Sequence, residues 1–138
     1  MRRHLPILLT LLALAAPLAS QAKPGHVYWV LYYQSLPGKQ EAYNKALADV
    51  SIPVFNELVK RNAIVSYLQL AQVAGSGEYT HIFMVEAVNW AVVDGLDAKL
   101  NDAAQVTLHK SWSEATAGFV ELRSVLRTEL FVASGQQP

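Results

Sequence analysis

The segment from His26 to Gln34 constrains the fold more than any other part of the sequence. It is rich in aromatic and β-branched residues, which predicts a β-strand. Side chains alternate between the two faces of a strand, and here both faces are apolar: Val27, Trp29, Leu31 and Tyr33 on one, Tyr28, Val30 and Tyr32 on the other. A sheet with one face in water carries polar residues at alternate positions, so this strand predicts a sheet covered on both sides.

A helical stretch follows this strand. Apolar residues recur at helical spacing from Lys39 to about Arg61. Pro53 lies inside the stretch, where it removes one backbone donor and crowds the carbonyl one turn back. The helix is therefore expected to kink or divide near Ser51.

The next segment predicts a β-hairpin. Residues 63–73 and 79–87 have the composition of strands, and the turn Gly75-Ser76-Gly77 lies between them. This lone glycine turn has neither the spacing nor the following helix of a phosphate-binding loop.

The last third of the sequence predicts a second helical stretch and a fourth strand. Asn89 is a suitable N-cap for an apolar stripe that continues to about Ala115, and Gly95 and Asn101-Asp102 are expected to interrupt it. Residues 124–132 alternate as the last strand, and 133–138 form a polar tail that is expected to be disordered. The order of elements is β-α-β-β-α-β, which is typical of the α+β class.

The first 22 residues are typical of a cleavable secretory signal. Arg2 and Arg3 precede the apolar run Leu5–Ala16, which is too short to span a bilayer. Small residues at Ser20 and Ala22 predict cleavage between Ala22 and Lys23, although an ordinary apolar N-terminal helix is an alternative. We therefore expect an exported protein, periplasmic or secreted, whose mature chain is one domain (23–138, core about 26–132). No later segment predicts a membrane span.

Charge and composition exclude several classes of function. The mature chain would hold nine Lys and Arg against eleven Asp and Glu, with no basic stripe, which argues against a nucleic-acid partner. The sequence contains no cysteine, so disulfides, thiolate catalysis and Cys-ligated zinc are excluded. No two histidines have metal-ligand spacing, and we expect no metal site.

The element order resembles the ferredoxin-like fold, an antiparallel four-stranded sheet with two helices on one face. Three segments resemble the dimeric α+β barrel superfamily: Val-Leu-Tyr-Tyr-Gln-Ser-Leu-Pro-Gly-Lys at 30–39, Ile-Pro-Val at 52–54 and Arg-Thr-Glu-Leu-Phe at 127–131. Within it the chain is similar to NIPSNAP-like and antibiotic-biosynthesis-monooxygenase-like proteins, over about residues 26–132. In a homodimer of this kind, the second sheet would cover the face that one chain leaves bare.

The resemblance implies a small cavity enclosed by the two sheets of the homodimer, the barrel cavity, which would bind a small apolar or aromatic ligand, with no cofactor and no catalysis yet indicated. A cofactor-independent monooxygenase is the alternative function, and haem binding is a third. Haem-degrading members of the superfamily use an Asn on the first strand, where this chain has Tyr28, Tyr32 and Gln34. That activity is therefore not carried over.

Three residues outside the first strand are candidates for a ligand pocket. His81 lies within the third strand, where an imidazole could bind metal or haem or move a proton, but a half-buried histidine with one partner is the simpler interpretation. His109 and Trp112 are three apart on the predicted helix and would share a face. The simpler interpretation makes Trp112 part of the core and His109 solvent-exposed. His26 is expected to be exposed.

The tyrosines and one arginine form a second set of candidates: Tyr28, Tyr32, Tyr67 and Arg127. Phenols and a guanidinium around an apolar cavity would orient a small aromatic or keto ligand. The same residue types are enriched in protein interfaces, which favours a place in the dimer interface. Alternation alone leaves open which strand face would line the cavity.

Overall fold

The computed structural model describes residues 25–75 and 77–134, so the predicted signal segment, Ser76 and residues 135–138 lie outside the described residues. The strands are β1 (Val27–Ser35), β2 (Ser66–Ala71), β3 (His81–Ala87) and β4 (Arg123–Val132). They form one antiparallel sheet in the order β2-β3-β1-β4. The predicted four-stranded sheet, with the two helical stretches packed on one face, is confirmed.

The first helical stretch divides where Pro53 predicts. Helix α1 (Gln40–Ala46) passes into a π-helical segment, Leu47–Ser51, and then into α2 (Ile52–Lys60). The nitrogen of Pro53 cannot donate to the carbonyl of Asp49, so the hydrogen-bond pattern shifts by one residue just before the proline.

The second helical stretch is only partly as expected. Asn89 caps α3 (Trp90–Asp94) by accepting a hydrogen bond from the Val92 N–H, and Gly95 separates α3 from α4 (Leu96–Leu108). The prediction that Asn101-Asp102 interrupts the helix is wrong, because both residues lie inside α4. Their neighbours Leu100 and Ala103 are buried, and this packing outweighs a small loss of helix propensity.

The helix also does not continue from His109 to Trp112. His109 ends α4 in the left-handed conformation (φ 56°), and Ser111 begins α5 (Trp112–Thr116) with a capping box that includes Glu114. A single-turn 3₁₀ helix, Ala117–Glu121, leads into β4. Among residues 25–75 and 77–134, no helix has the length and apolarity needed to cross a bilayer.

The helices pack on the sheet face that carries Trp29, Leu31 and Tyr33. The opposite face carries Tyr28, Val30 and Tyr32, and we call it the open face because the helices leave it uncovered. The β1–β4 register shifts between Tyr32 and Tyr33, where β4 holds one extra residue, Leu126. This bulge changes which side chains of β4 point to each face.

Candidate functional site

A cavity of about 220 Å³ lies between the sheet and the helices. Its wall is mostly aromatic, and we call it the aromatic cavity: Trp29 and Tyr33 of β1, Tyr43 of α1, Phe83 of β3, Trp112 of α5 and Phe119 line it among others. This volume lies below the range of roughly 300–1,000 Å³ that is usual for small-molecule sites, so a ligand here would be small.

Local sequence explains how these rings converge. Trp29 and Tyr33 share a face of β1 because they are an even number of residues apart. Tyr43 lies one helical turn before Leu47, and both are buried against the sheet. Trp112 is fixed at the start of α5, where its backbone N–H donates to the side chain of Asn101 at 2.9 Å.

Arg123 supplies the positive charge of the aromatic cavity. Its guanidinium carbon lies 3.8 Å from the ring centre of Tyr33, and the rings of Phe119 and Tyr43 lie at 5.5 and 5.7 Å. The Nε atom is buried and has no hydrogen-bond partner among the residues that the structure describes. A buried guanidinium N–H without an acceptor carries a free-energy cost, which a ligand oxygen could remove.

The tyrosines of the aromatic cavity stay protonated over the ordinary pH range. Burial raises the pKa of Tyr33 and of Tyr43, and the charge of Arg123 offsets only part of that effect. Their hydroxyl groups therefore serve as neutral hydrogen-bond donors and acceptors rather than as bases.

His81 lies behind this wall. It is 1% exposed, and its ring is edge-on to Tyr43 with 4.7 Å between ring centres. The two ring nitrogens are within hydrogen-bond distance of Thr80 Oγ1 (2.8 Å, Nδ1) and Asn44 Oδ1 (2.7 Å, Nε2). Burial lowers the pKa of His81 and the charge of Arg123 lowers it further, so the ring is neutral at pH 7.

The open face carries a second, shallower groove of about 390 Å³. It is lined by apolar and aromatic side chains that include Tyr28, Tyr32, Leu70 and Met84. At its border, Arg127 stacks on Tyr32 (4.1 Å to the ring centre) and forms an ion pair with Glu129 at 3.1 Å.

A buried carboxylate lies on this same face. Glu86 accepts hydrogen bonds from Ser66 Oγ (2.7 Å) and Tyr28 Oη (3.2 Å), and its Oε1 lies 2.7 Å from Nδ1 of His26. Burial opposes ionisation of Glu86, but these hydrogen bonds outweigh it and its pKa is lowered. The expectation that His26 is exposed is wrong, since only 14% of its side chain is accessible.

No protein-family model matches the sequence, and no curated protein matches it. Solved structures do resemble the fold. HapK from Hahella chejuensis is 10% identical with a TM-score of 0.57, over 81% of this chain and 96% of that one. A dimeric protein of unknown function and ferredoxin-like fold from Bacteroides fragilis is 10% identical with a TM-score of 0.55, over 79% and 97%. The chain has the ferredoxin-like fold.

A third structure is SnoaB, a cofactor-independent oxygenase from Streptomyces nogalater, at 12% identity and a TM-score of 0.50, covering 83% of this chain and 98% of that one. Another neighbour at 12% identity and a TM-score of 0.50 is described as a putative antibiotic biosynthesis monooxygenase from Chloroflexus aurantiacus. Identities this low show the fold alone. The similarity to NIPSNAP-like proteins stays a prediction.

The ferredoxin-like fold separates the candidate residues into different places. Trp112 lines the aromatic cavity. Tyr67 packs on the same side of the sheet, stacked on Phe83, and donates to Asn56. Three of the others, Tyr28, Tyr32 and Arg127, lie on the open face.

His109 lies apart from both grooves. It is exposed. The prediction that His109 shares a helix face with Trp112 is wrong, because His109 ends α4 and Trp112 begins α5. Within the described residues, no group of three or more His, Asp or Glu side chains is arranged to hold a metal ion.

Sequence reasoning missed Arg123 and Tyr43. The sequence shows Arg123 only as one of several scattered cations, and Tyr43 only as part of an amphipathic stripe. Their meeting depends on the long-range pairing of β1 with β4, which periodicity within one segment does not report.

Proposed function

We propose that this chain binds a small aromatic ligand in the aromatic cavity, with a keto or other acceptor oxygen of the ligand placed against Arg123. The buried, unpartnered Nε of Arg123 beside aromatic rings carries the proposal. The rings supply apolar area and edge-to-face contacts, and the guanidinium selects for an acceptor.

The test compares two bicyclic probes that differ in one oxygen. 1-Tetralone carries a keto oxygen and tetralin does not, so titration calorimetry measures the contribution of the acceptor. We expect Arg123→Gln to weaken tetralone binding by about tenfold, which corresponds to roughly 1.4 kcal/mol. Tetralin affinity should change little in the same variant.

Arg127→Gln is the matched control. Arg127 also lies on β4 and also stacks on a tyrosine, but on the open face. It should bind tetralone as the wild type does. Equal affinity of tetralone for the wild type and for folded Arg123→Gln would remove Arg123 from the site and overturn the proposal.

We also propose that the chain acts as a homodimer whose two open faces meet. The support is the apolar groove on that face, where Leu68, Leu70 and Phe131 are each about half exposed, together with the dimeric neighbour from Bacteroides fragilis.

Light scattering at micromolar concentration should give twice the chain mass. Leu70→Glu should give monomers, and Val106→Glu, an equally exposed position on α4, should not. A wild-type monomer would refute the dimer.

A cofactor-independent oxygenase is the second candidate function. Arg123 would stabilise an enolate or phenolate formed inside an apolar cavity, and SnoaB shows that a protein of this fold carries out oxygenation without a cofactor. With 1,4-naphthoquinol, one atom of O₂ would enter the ring to give 2-hydroxy-1,4-naphthoquinone. The other atom would leave as water with two substrate hydrogens, so the substrate supplies all the electrons.

Oxygen uptake with naphthoquinol tests this candidate, with the uncatalysed rate subtracted. We expect Arg123→Gln to slow turnover about tenfold or more. Tyr32→Phe, on the open face, should be unchanged. Turnover that is the same in Arg123→Gln and wild type, or that produces hydrogen peroxide instead of water, would exclude the reaction.

Export is part of the proposal and is supported by the N-terminal sequence alone. Cleavage after Ala22 would deliver the chain outside the cytoplasm, in the periplasm or medium. N-terminal sequencing of the protein from its own host should begin at Lys23, and a chain that begins at Met1 would contradict it.

A further inference from the structure

Helix α1 lies between a glycine turn and the π-helical segment. Gly38, two residues before α1, has φ +72°, and Lys39 at the N-cap provides no side-chain cap. The π-helical segment Leu47–Ser51 follows directly. The backbone stays helical through Leu47 and Ile52 into α2, so α1 is the uncapped first part of one helical stretch, and the π-helical segment is where its hydrogen-bond pattern changes.

The contacts that hold α1 to the sheet are few. Tyr43 is buried and Leu47, just beyond the helix, is buried as well, while Gln40, Glu41, Ala42 and Lys45 are exposed. Both buried side chains line the aromatic cavity. Lifting α1 would therefore open that cavity.

Helix α1 also covers His81. The ring of Tyr43 lies edge-on to the imidazole, and the Asn44 side chain meets Nε2. The oxygen of Asn44 accepts from Nε2–H, which leaves Nδ1 to accept from the Thr80 hydroxyl. The imidazole is 1% exposed in this arrangement, and α1 contributes Tyr43 and Asn44 to its cover.

The groups that face His81 offer no compensation for a positive charge. Arg123 of β4 is cationic, and Tyr43 of α1 and Tyr33 of β1, the pairing partner of His81, are neutral phenols. Within the described residues, His81 forms no ion pair with an Asp or Glu. An imidazolium here would be buried near a second cation.

We propose that α1 is a lid on the aromatic cavity and that protonation of His81 opens it. The closed lid keeps His81 dry and therefore neutral, whereas the open lid lets water solvate the imidazolium. This inference rests on the proposed ligand site and adds its regulation, so the site would take up and release ligand more readily in mildly acidic surroundings.

The direction of the pH effect on the lid follows from the difference in proton affinity between the closed and open states. The closed state lowers the pKa of His81 below its ordinary value of 6.5, so the open state binds the proton more tightly. Closure is complete above about pH 6.5 and weakens as the pH falls below it. Each unit of pKa difference between the two states shifts the lid equilibrium by about tenfold.

Hydrogen–deuterium exchange without ligand tests the lid directly. Amides of residues 43–47 are compared at pH 7.5 and pH 5.0 in wild type and in His81→Gln, which keeps a donor for Asn44 but does not titrate. We expect equal protection at pH 7.5. At pH 5.0 we expect several-fold weaker protection in the wild type only.

Asn44→Asp supplies a second and opposite test. A carboxylate at position 44 would face Nε2 and stabilise the imidazolium under the closed lid, so acid should no longer weaken protection. Asn62→Asp, which adds the same charge at an exposed position, should leave the acid response intact. A purely structural role for His81 would not respond to Asn44→Asp in this direction.

Tetralone binding separates this inference from the proposed function. Acid-dependent opening without any tetralone binding would keep the lid and remove the ligand proposal. Tetralone binding that requires Arg123, with identical exchange in wild type and His81→Gln at both pH values, would keep the ligand site and overturn the lid.

Discussion

Arg123 and Arg127 lie on the same strand but on opposite faces of the sheet. They are four residues apart on β4, and in a regular strand they would point to the same face. The bulge at Leu126 places Arg123 among the rings of the aromatic cavity and Arg127 on the open face. Each guanidinium stacks on a tyrosine of β1, but only Arg123 has a buried Nε without a partner within the described residues.

Glu86 is a buried carboxylate whose charge is held by hydrogen bonds from neighbouring side chains. We expect Glu86→Gln to lower the free energy of unfolding by about 2 kcal/mol at pH 7, because a buried carboxylate loses its charge-assisted hydrogen bonds. Glu129→Gln is the control on the same sheet face, and since its ion pair is partly exposed we expect a loss of less than about 1 kcal/mol. Urea unfolding of both variants measures the difference.

The effect of Glu86→Gln should depend on pH. The folded state lowers the pKa of Glu86, so its stabilising contribution is present above the ordinary value of 4.5 and is lost as the pH falls through the folded-state pKa. The wild type and Glu86→Gln should therefore become similar in stability once the pH falls below the folded-state pKa of Glu86. A difference that is unchanged there would show that packing, and not charge, is responsible.

At the scale of elements, boundaries follow backbone chemistry more closely than hydrophobic periodicity does. Pro53 divides the first helical stretch through the donor it lacks, and Gly95 and the left-handed His109 divide the second. The apolar stripe continues past His109 in sequence, which is why periodicity predicted a continuous helix. The capping box at Ser111 starts a new one.

Ser111 caps the N-terminus of α5. We expect Ser111→Ala to destabilise the protein by about 1 kcal/mol, because the N-cap acceptor for the Glu114 N–H is removed. Trp112 would be less firmly placed at the start of α5, so tetralone affinity should also fall. Thermal unfolding and calorimetry measure the two effects.

Ser113→Ala is the matched control for Ser111→Ala. It makes the same substitution inside α5 at an exposed position, and alanine favours helix there. We expect no loss of stability or of affinity. Equal destabilisation by the two variants would mean that the cap is not what holds α5.

At the scale of the whole molecule, the helices use one face of the sheet and leave the other uncovered. The first strand, apolar on both faces, meets the core through Tyr33 and the open face through Tyr28 and Tyr32. Without disulfides, a domain of this size depends on packing alone, and a second copy would bury apolar side chains that the monomer leaves half exposed, among them Leu68, Leu70 and Phe131.

Association on the open face would make the stability depend on protein concentration. If the homodimer forms, its midpoint of thermal unfolding should rise with protein concentration, because mass action favours the associated folded state. Calorimetric scans from 1 to 100 μM are suitable, and Leu70→Glu should unfold at a constant, lower midpoint. A midpoint independent of concentration in the wild type would mean that the open face adds no stability through association.

Most of the candidate site could not be predicted from the sequence, because its residues meet through contacts between distant segments. Trp112 was identified because an aromatic residue near an apolar stripe is conspicuous. Tyr28, Tyr32 and Arg127 are predicted to line either a ligand cavity or the dimer interface, and they lie on the open face. Faces can be assigned within one strand, but which face the helices cover depends on contacts between distant segments.

Local chemistry in the sequence determined the order of elements, the division at Pro53, the cap at Asn89 and the need to cover both faces of β1. These depend on backbone donors and on side-chain alternation within a few residues. Only the tertiary structure decided that Arg123, Tyr33 and Tyr43 meet, that His81 is enclosed by α1, and that Glu86 is held by three side chains. Those contacts join different elements of the fold. The bulge at Leu126 sets the β1–β4 register, which brings Arg123 to Tyr33.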